Sequence, residues 1–432
     1  MTQELYEQVE TILKKLEQLY KFASKYDEYP VKKVIEIKTE LQELQQQIPT
    51  ITEPQNIEET MQAELQRNIE KRIFTINDWL SGGKTDFETI KKIYGIQEED
   101  LQNLRPWLKE HKEKVLQAIE NLSEQIEINN FELELPIDIP QVKRQAEEYA
   151  AVHIQKYHKN LGKMLQELTK AGEFLRDIEA VPTKQNRSYF FTLTKTLAIE
   201  IPGICKMKED GTIQINEREL IRIYGHEGMG HALNEVITNA SNLPYFLKTS
   251  LFATQTTMES IAQFYERRIF EDIKERPEVQ KALGIDHKFN EIYEEMQARD
   301  LLTEYKRRLD QYAITVLADK ELGKHDDLKV IQKRIELISE VALNPIYAKL
   351  IVFGNSRNYD PEGNFEVGTA KELVYSSQAV KRALKEFEKQ GIKYEGKNRS
   401  VIDMALLEGF WTPEGLVERA KVTAKKYKNQ II

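Results

Sequence analysis

The chain has 432 residues, of which 40% are hydrophobic and 31% are charged, and its formal net charge is -9. This composition is typical of a folded, soluble protein and argues against an intrinsically disordered one. The acidic balance provides no broad basic surface, so no nucleic-acid partner is expected.

Cysteine content and the N-terminal residues bear on the compartment. A single cysteine, Cys205, excludes an internal disulfide and a thiolate metal cluster, and it fits a reducing environment. The opening residues MTQELYEQVETILKK carry charges throughout and lack the apolar segment of a signal peptide. No apolar run approaches the ~20 residues that a membrane-spanning helix needs. We therefore expect a cytoplasmic protein with no membrane partner.

The first third of the chain has a helical pattern. Apolar residues at three- and four-residue steps predict a helical hairpin that is interrupted at Pro30 and ends near Pro49. A further helix is predicted over 57–80. Thr85, followed three residues later by Glu88, has the spacing of a capping box and predicts the start of another helix.

The middle of the chain contains a boundary and a β signal. Amphipathic helices are predicted over 98–126 and 142–178, and the extended, proline-containing stretch 129–140 separates them. Next come SYFFTLTKTLAIEI, rich in β-branched and aromatic residues, and ICKMKEDGTIQI, whose Asp210-Gly211 pair predicts a hairpin turn. The pattern is helical again after Asn216. We predict a mainly α fold with a small antiparallel β-sheet beside the helix that follows.

That helix contains the stretch ELIRIYGHEGMGHALNEVI, in which His226 and His231 lie five residues apart. On a regular α-helix a five-residue step rotates the side chain by ~140°, so the two imidazoles would diverge. A π-bulge would absorb the extra residue and bring both onto one face. Glycines at 225, 228 and 230 offer backbone freedom, at roughly 1 kcal/mol each relative to alanine. The alternative is a glycine-weakened helix with two buried, hydrogen-bonded histidines.

A catalytic zinc site needs a third protein ligand and an open position. Glu259, in TQTTMESIAQFYERR, lies 28 residues beyond His231 and is the first choice. Glu235, four residues after His231, is an alternative ligand. Glu266 could either bind the metal or orient a histidine.

These motifs resemble known zinc peptidases. HEGMGH, residues 226–231, is similar to the H-E-x-x-G-H motif of dipeptidyl peptidase III and to the H-E-x-x-x-H motif of tubulin-tyrosine carboxypeptidase-like proteins. TTMESIAQFYE resembles the Glu-bearing helix of gluzincin-type peptidases, although Ser260 replaces their usual glycine. The resemblance covers about fifty residues. With the boundary placed at 129–140, we predict a helical N-terminal region over 1–128 and, following the resemblance, a zinc-peptidase catalytic region over 129–432.

The resemblance also implies a mechanism. Zn²⁺ would be held by His226, His231 and Glu259 and would activate a water molecule for attack on a peptide substrate. Glu227 would be the general base. Tyr375 is our first choice for the donor that stabilises the oxyanion.

Other parts of the substrate site are predicted less specifically. Arg357 and Tyr359 are further candidates for the oxyanion donor. An exposed strand edge near LAIEIPG could pair with the substrate backbone. Lys371, Lys381 and Arg382 could receive a C-terminal carboxylate, although a solvated basic face would explain them equally well.

Two other functional classes remain open. One is a non-catalytic zinc-binding scaffold, which would bind metal without hydrolysis. The other is a di-metal carboxylate bundle, which uses Glu-x-x-His pairs. Ile223 and Gly228 stand three residues before the two motif histidines, so this second class is disfavoured. The oligomeric state stays open.

Overall fold

A computed structural model of the chain describes residues 3–26, 30–128, 140–185, 187–208, 210–324, 327–355, 364, 367–375 and 377–431. Helices dominate this part of the chain. The α-helices are α1 (Gln3–Tyr26), α2 (Val31–Gln47), α3 (Ile57–Leu80), α4 (Phe87–Tyr94), α5 (Glu98–Gln102), α6 (Leu104–Ile128), α7 (Pro140–Leu168), α8 (Ile201–Ile204), α9 (Glu217–Ile223), α10 (Leu233–Ala240), α11 (Phe252–Lys274), α12 (Pro277–Leu283), α13 (Phe289–Ala318), α14 (Leu328–Ser339), α15 (Pro345–Asn355), α16 (Ala379–Glu388), α17 (Gly396–Leu407) and α18 (Pro413–Ile431). Short 3₁₀ segments span Lys170–Asp177, Tyr245–Lys248, Lys320–Leu322 and Val367–Tyr375.

The N-terminal helices follow the sequence pattern with two corrections. α1 and α2 form the predicted hairpin, and α3 has the predicted bounds. The cap of α4 is Asp86 and not Thr85, because the Asp86 carboxylate accepts the backbone N–H of Thr89 at 2.9 Å. The predicted helix 98–126 is interrupted at Asn103, which separates α5 from α6.

The predicted helix 142–178 also has a break. α7 ends at Leu168 because the Thr169 side chain accepts the N–H of Ala171 and starts a 3₁₀ segment over Lys170–Asp177. Residues 129–139 of the predicted boundary lie outside the described part of the chain.

Five short strands form two sheets: β1 (Glu179–Thr183), β2 (Tyr189–Phe191), β3 (Thr196–Glu200), β4 (Cys205–Met207) and β5 (Ile213–Ile215). β4 and β5 are the predicted antiparallel hairpin, and Gly211 takes a positive φ of 81° at its turn. The other sheet has the order β1-β3-β2. β3 is antiparallel to β2 and parallel to β1, so this sheet is mixed. β3, which contains the first four residues of LAIEIPG, is paired on both sides, so the edges of this sheet near LAIEIPG belong to β1 and β2.

The hydrophobic core consists of two clusters. The first joins α1–α3, α7, the strands, α9–α11 and α16–α18. The second joins α4, α6, α14, α15 and the 3₁₀ segment Val367–Tyr375. α13 contributes to both, with Phe289 and Met296 in the first cluster and Tyr305 and Leu317 in the second. The clusters therefore divide the chain differently from the predicted regions 1–128 and 129–432.

Within the described ranges, no helix is both long enough and apolar enough to cross a lipid bilayer.

Candidate metal centre

A π-helix over Tyr224–Ala232 carries both motif histidines. It continues directly from α9, whose first turn is capped by Asn216, because the Asn216 side chain accepts the N–H of Glu219 at 3.0 Å. In a π-helix the hydrogen bonds join residues five apart, so side chains at that spacing lie near one another. The ring centroids of His226 and His231 are accordingly 5.1 Å apart. The predicted local widening of the helix is present.

Two of the glycines in the motif are required by packing. A Cβ at position 230 would lie 2.4 Å from Cα of Ala262, and one at position 225 would lie 2.8 Å from Cγ2 of Ile269. Both contacts are with α11, which packs directly against the π-helix. Neither glycine takes a positive φ. The glycines therefore permit close approach of the two helices. The sequence analysis instead predicted that they provide backbone freedom.

α11 places Glu259 between the two histidines. Its Oε2 lies 3.5 Å from Nε2 of His226, and its Oε1 lies 3.4 Å from Nε2 of His231. One ligand atom from each residue can be chosen so that all three lie within 4.8 Å of one another. Two atoms that are each ~2.1 Å from a tetrahedral zinc ion are ~3.4 Å apart. The spacing fits joint coordination of one metal ion.

Glu266, two turns further along α11, orients His226. Nδ1 of His226 donates to Oε2 of Glu266 at 2.9 Å, which leaves Nε2 facing Glu259. Arg222 lies 3.4 Å from the other oxygen of Glu266. Burial alone would raise the pKa of Glu266, but the hydrogen bond from His226 and the charge of Arg222 lower it to about 2. Of the two predicted roles of Glu266, the geometry favours the orienting one.

The electrostatics of the cluster favour positive charge beside the Glu259 carboxylate. Burial would lower the pKa of His231, but the Glu259 carboxylate beside it outweighs this effect and raises the pKa. Burial would raise the pKa of Glu259, and His231 reverses that shift. Oε2 of Glu259 is buried and has no hydrogen-bond partner among the described residues. Buried polar atoms rarely stay without a partner, and a metal ion would satisfy this one.

The other two acidic residues near the motif have different environments. Glu235, the alternative ligand, accepts a hydrogen bond from the Thr192 hydroxyl. Burial raises the pKa of Glu227, whereas the nearby His231 and His226 act in the opposite direction. Glu227 therefore lies within electrostatic range of the ligand cluster without belonging to it.

Tyr375 lies close to the same centre, at the end of the 3₁₀ segment. Burial raises its pKa, and the charges of Glu259 and Glu227 raise it further, so its hydroxyl is protonated at neutral pH. The guanidinium of Arg307 lies 4.5 Å from the centre of its ring. The other predicted donors, Arg357 and Tyr359, lie outside the described residues.

Of the three predicted carboxylate-binding side chains, the structure describes those of Lys381 and Arg382. Arg382 forms an ion pair with Asp100 at 2.8 Å and is engaged there. Lys381 is exposed on α16. The side chain of Lys371 lies outside the described part of the structure.

His158 is a residue whose place the sequence did not indicate. Its Nε2 donates to the carbonyl of Ile178 at 2.8 Å, so its Nδ1 accepts from the Tyr224 hydroxyl at 3.1 Å. Burial lowers the pKa of His158, which favours this neutral form. The bond anchors the first residue of the π-helix to α7. No local pattern predicts this bond, because the two residues are far apart along the chain.

Comparisons of the chain with protein families, with curated proteins and with solved structures give no match.

Proposed function

We propose that the protein is a zinc-dependent peptidase. The observation that supports this most directly is the convergence of His226, His231 and Glu259 beside a half-buried Glu227. Two histidines and a glutamate from neighbouring helices are a ligand set of known catalytic zinc sites, which keep one position open. The motif resemblance to gluzincin-type peptidases points to the same reaction.

The side chains would act in a defined order. A zinc ion held by the three ligands would polarise the scissile carbonyl and lower the pKa of water toward ~7. Glu227 would accept a proton from the attacking water and later donate it to the leaving amine. The protonated hydroxyl of Tyr375 would donate a hydrogen bond to the developing oxyanion.

Glu227→Gln tests the assigned base. We expect this variant to retain bound zinc, measured by elemental analysis, and to lose peptide hydrolysis by about 10²-fold or more, measured on a peptide library by mass spectrometry. Glu275→Gln is the matched control, because Glu275 is an exposed carboxylate directly after α11 and has no assigned role at the site. Undiminished hydrolysis by Glu227→Gln would refute the assignment. A parent protein that binds zinc and cleaves no peptide would instead support the non-catalytic scaffold.

A further inference from the structure

A cleft of about 730 Å³ opens beside the candidate metal centre. Its walls come from α11, α13, α16, Trp107 of α6 and Tyr375, so it lies between elements of the two core clusters. Ser260 and Arg267, the chain neighbours of Glu259 and Glu266, line it. The three candidate ligands are not among the lining residues. A ligand in this cleft would lie next to the metal centre.

The cleft is basic although the chain as a whole is acidic. Six basic side chains line it, compared with four acidic ones. The basic residues are Arg267, Arg268, Arg307, Arg308, Lys381 and Lys385. In a chain with a formal net charge of -9, such a local excess favours an anionic ligand.

Most of the lining arginines are already neutralised. Arg267 pairs with Asp300 at 2.8 Å, and Arg268 pairs with Asp272 at 2.9 Å. Arg308 pairs with Glu304 at 2.9 Å. These three guanidinium groups have carboxylate partners within the protein and are not free to provide the main contact to a ligand.

Arg307 differs from its neighbours. Among the described residues, no carboxylate lies within ion-pair distance of its guanidinium, which rests on the Tyr375 ring at 4.5 Å. Its charge nevertheless acts on Glu259 and Glu266 and helps to lower the pKa of each. Arg307 therefore lies within electrostatic range of the candidate metal centre. A guanidinium that lies over an aromatic ring is attracted to its face and keeps N–H donors available for a ligand.

We propose that Arg307, held by Tyr375, binds a carboxylate of the peptide substrate in the cleft beside the metal centre. Guanidinium matches a carboxylate through two parallel N–H···O bonds, which gives both charge and geometric selectivity. The carboxylate is either the C-terminus of the peptide or an acidic side chain. The inference rests on the proposed peptidase function for the identity of the ligand as a peptide.

The test measures binding without requiring hydrolysis. The full-length Glu227→Gln protein is loaded with Zn²⁺, and fluorescence anisotropy measures its binding of four labelled decapeptide pools at low salt. One pool contains Glu and Asp and has a free C-terminus. A second has the same composition with a C-terminal amide, a third replaces Glu and Asp by Gln and Asn, and a fourth carries both changes.

We expect the fourth pool to bind most weakly. Weaker binding of the amidated pool than of the first pool identifies the C-terminal carboxylate as the bound group. Weaker binding of the Gln/Asn pool than of the first pool identifies acidic side chains. Adding Arg307→Gln should weaken binding of the preferred pool by about 10- to 100-fold and bring it to the level of the fourth. Arg307→Lys keeps the positive charge but not the two parallel N–H donors of the guanidinium, so it should weaken binding less than Arg307→Gln does. This second variant also supplies the test if Arg307→Gln does not fold.

Arg308→Gln is the matched control, because Arg308 carries the same charge in the same cleft but already has a partner in Glu304. The proposal is overturned if Arg307→Gln weakens binding no more than Arg308→Gln does, or if no pool binds. Peptide hydrolysis without a carboxylate preference would overturn this subsite and leave the peptidase function intact. If the parent protein hydrolysed no peptide but showed a carboxylate preference that depends on Arg307, the subsite would stand and the peptidase function would be overturned.

Discussion

At the scale of single residues, the hydrogen bond between Glu266 and His226 determines which imidazole nitrogen faces Glu259. Nδ1 of His226 is occupied by Glu266 at 2.9 Å, so only Nε2 remains for a metal ion. Groups that orient metal-binding histidines in this way typically contribute 10- to 100-fold to metal affinity. We expect Glu266→Ala to weaken Zn²⁺ binding by about this factor, measured by competition with a chromophoric chelator.

The control for this variant is Glu275→Ala, which removes an exposed carboxylate directly after α11 and should leave the affinity unchanged. Equal zinc affinities for Glu266→Ala and the parent would show that His226 does not depend on Glu266 for its orientation.

Which residues the sequence could identify depends on how local their signal is. His226, Glu227 and His231 lie within six residues, so their spacing alone suggested a π-bulge and a metal. To identify Glu259 as a candidate ligand, a second helix had to be predicted and compared with a known motif. Arg307 gave no such signal, because nothing local distinguishes it from the many other arginines of a helical chain. Only the packing of α13 beside Tyr375 distinguishes it.

At the scale of elements, the candidate metal centre depends on close contact between the π-helix and α11. A methyl group at position 230 would overlap Ala262 of α11, where a Cβ would lie 2.4 Å from Cα. Overpacking of this kind typically costs about 1–3 kcal/mol. We expect Gly230→Ala to lower the free energy of unfolding by about this amount, measured by urea denaturation, and to weaken Zn²⁺ binding because the ligands move apart.

Gly228→Ala provides the comparison within the same helix. A Cβ there would lie 3.4 Å from Cδ2 of Leu197, which is an ordinary contact, and alanine is the better helix former by roughly 1 kcal/mol. The variant should therefore be as stable as the parent or more so. If the two alanine variants were equally destabilised, backbone freedom and not close packing would explain the glycines.

The elements that the sequence predicted well are those with long apolar periodicity, such as α1, α2 and α3. The breaks were missed because they depend on single side chains, such as Thr169 ending α7. β1 was missed for another reason. Its sequence EAVPT is short and contains Pro182, so it carries little β signal, and it forms by pairing alongside β3.

At the scale of the whole molecule, the arrangement of the two core clusters could not be read from the sequence. α3 and α4 are consecutive, yet Ile69 and Ile76 belong to the first cluster and Ile90 to the second. α13 spans both clusters, and its middle, which carries Arg307, lines the cleft between them. Contacts between segments so distant along the chain depend on the complete fold and leave no periodic signature. The helical class and the candidate metal motif could therefore be predicted from the sequence, but the cleft could not.

The candidate metal centre links two helices of the first cluster, so we expect metal binding to stabilise the whole protein. A ligand that binds only the folded state raises the free energy of unfolding by ~2.7 kcal/mol at a concentration 100 times its dissociation constant. We expect Zn²⁺ to raise the melting temperature of the metal-free protein, measured by calorimetry, and a chelator to reverse the shift. Glu259→Ala should abolish the shift, because it removes the side chain that lies 3.5 Å or less from both histidines. Glu235→Ala should retain it, because that carboxylate bonds to Thr192. The opposite pattern, with the shift retained in Glu259→Ala and lost in Glu235→Ala, would identify Glu235 as the third ligand.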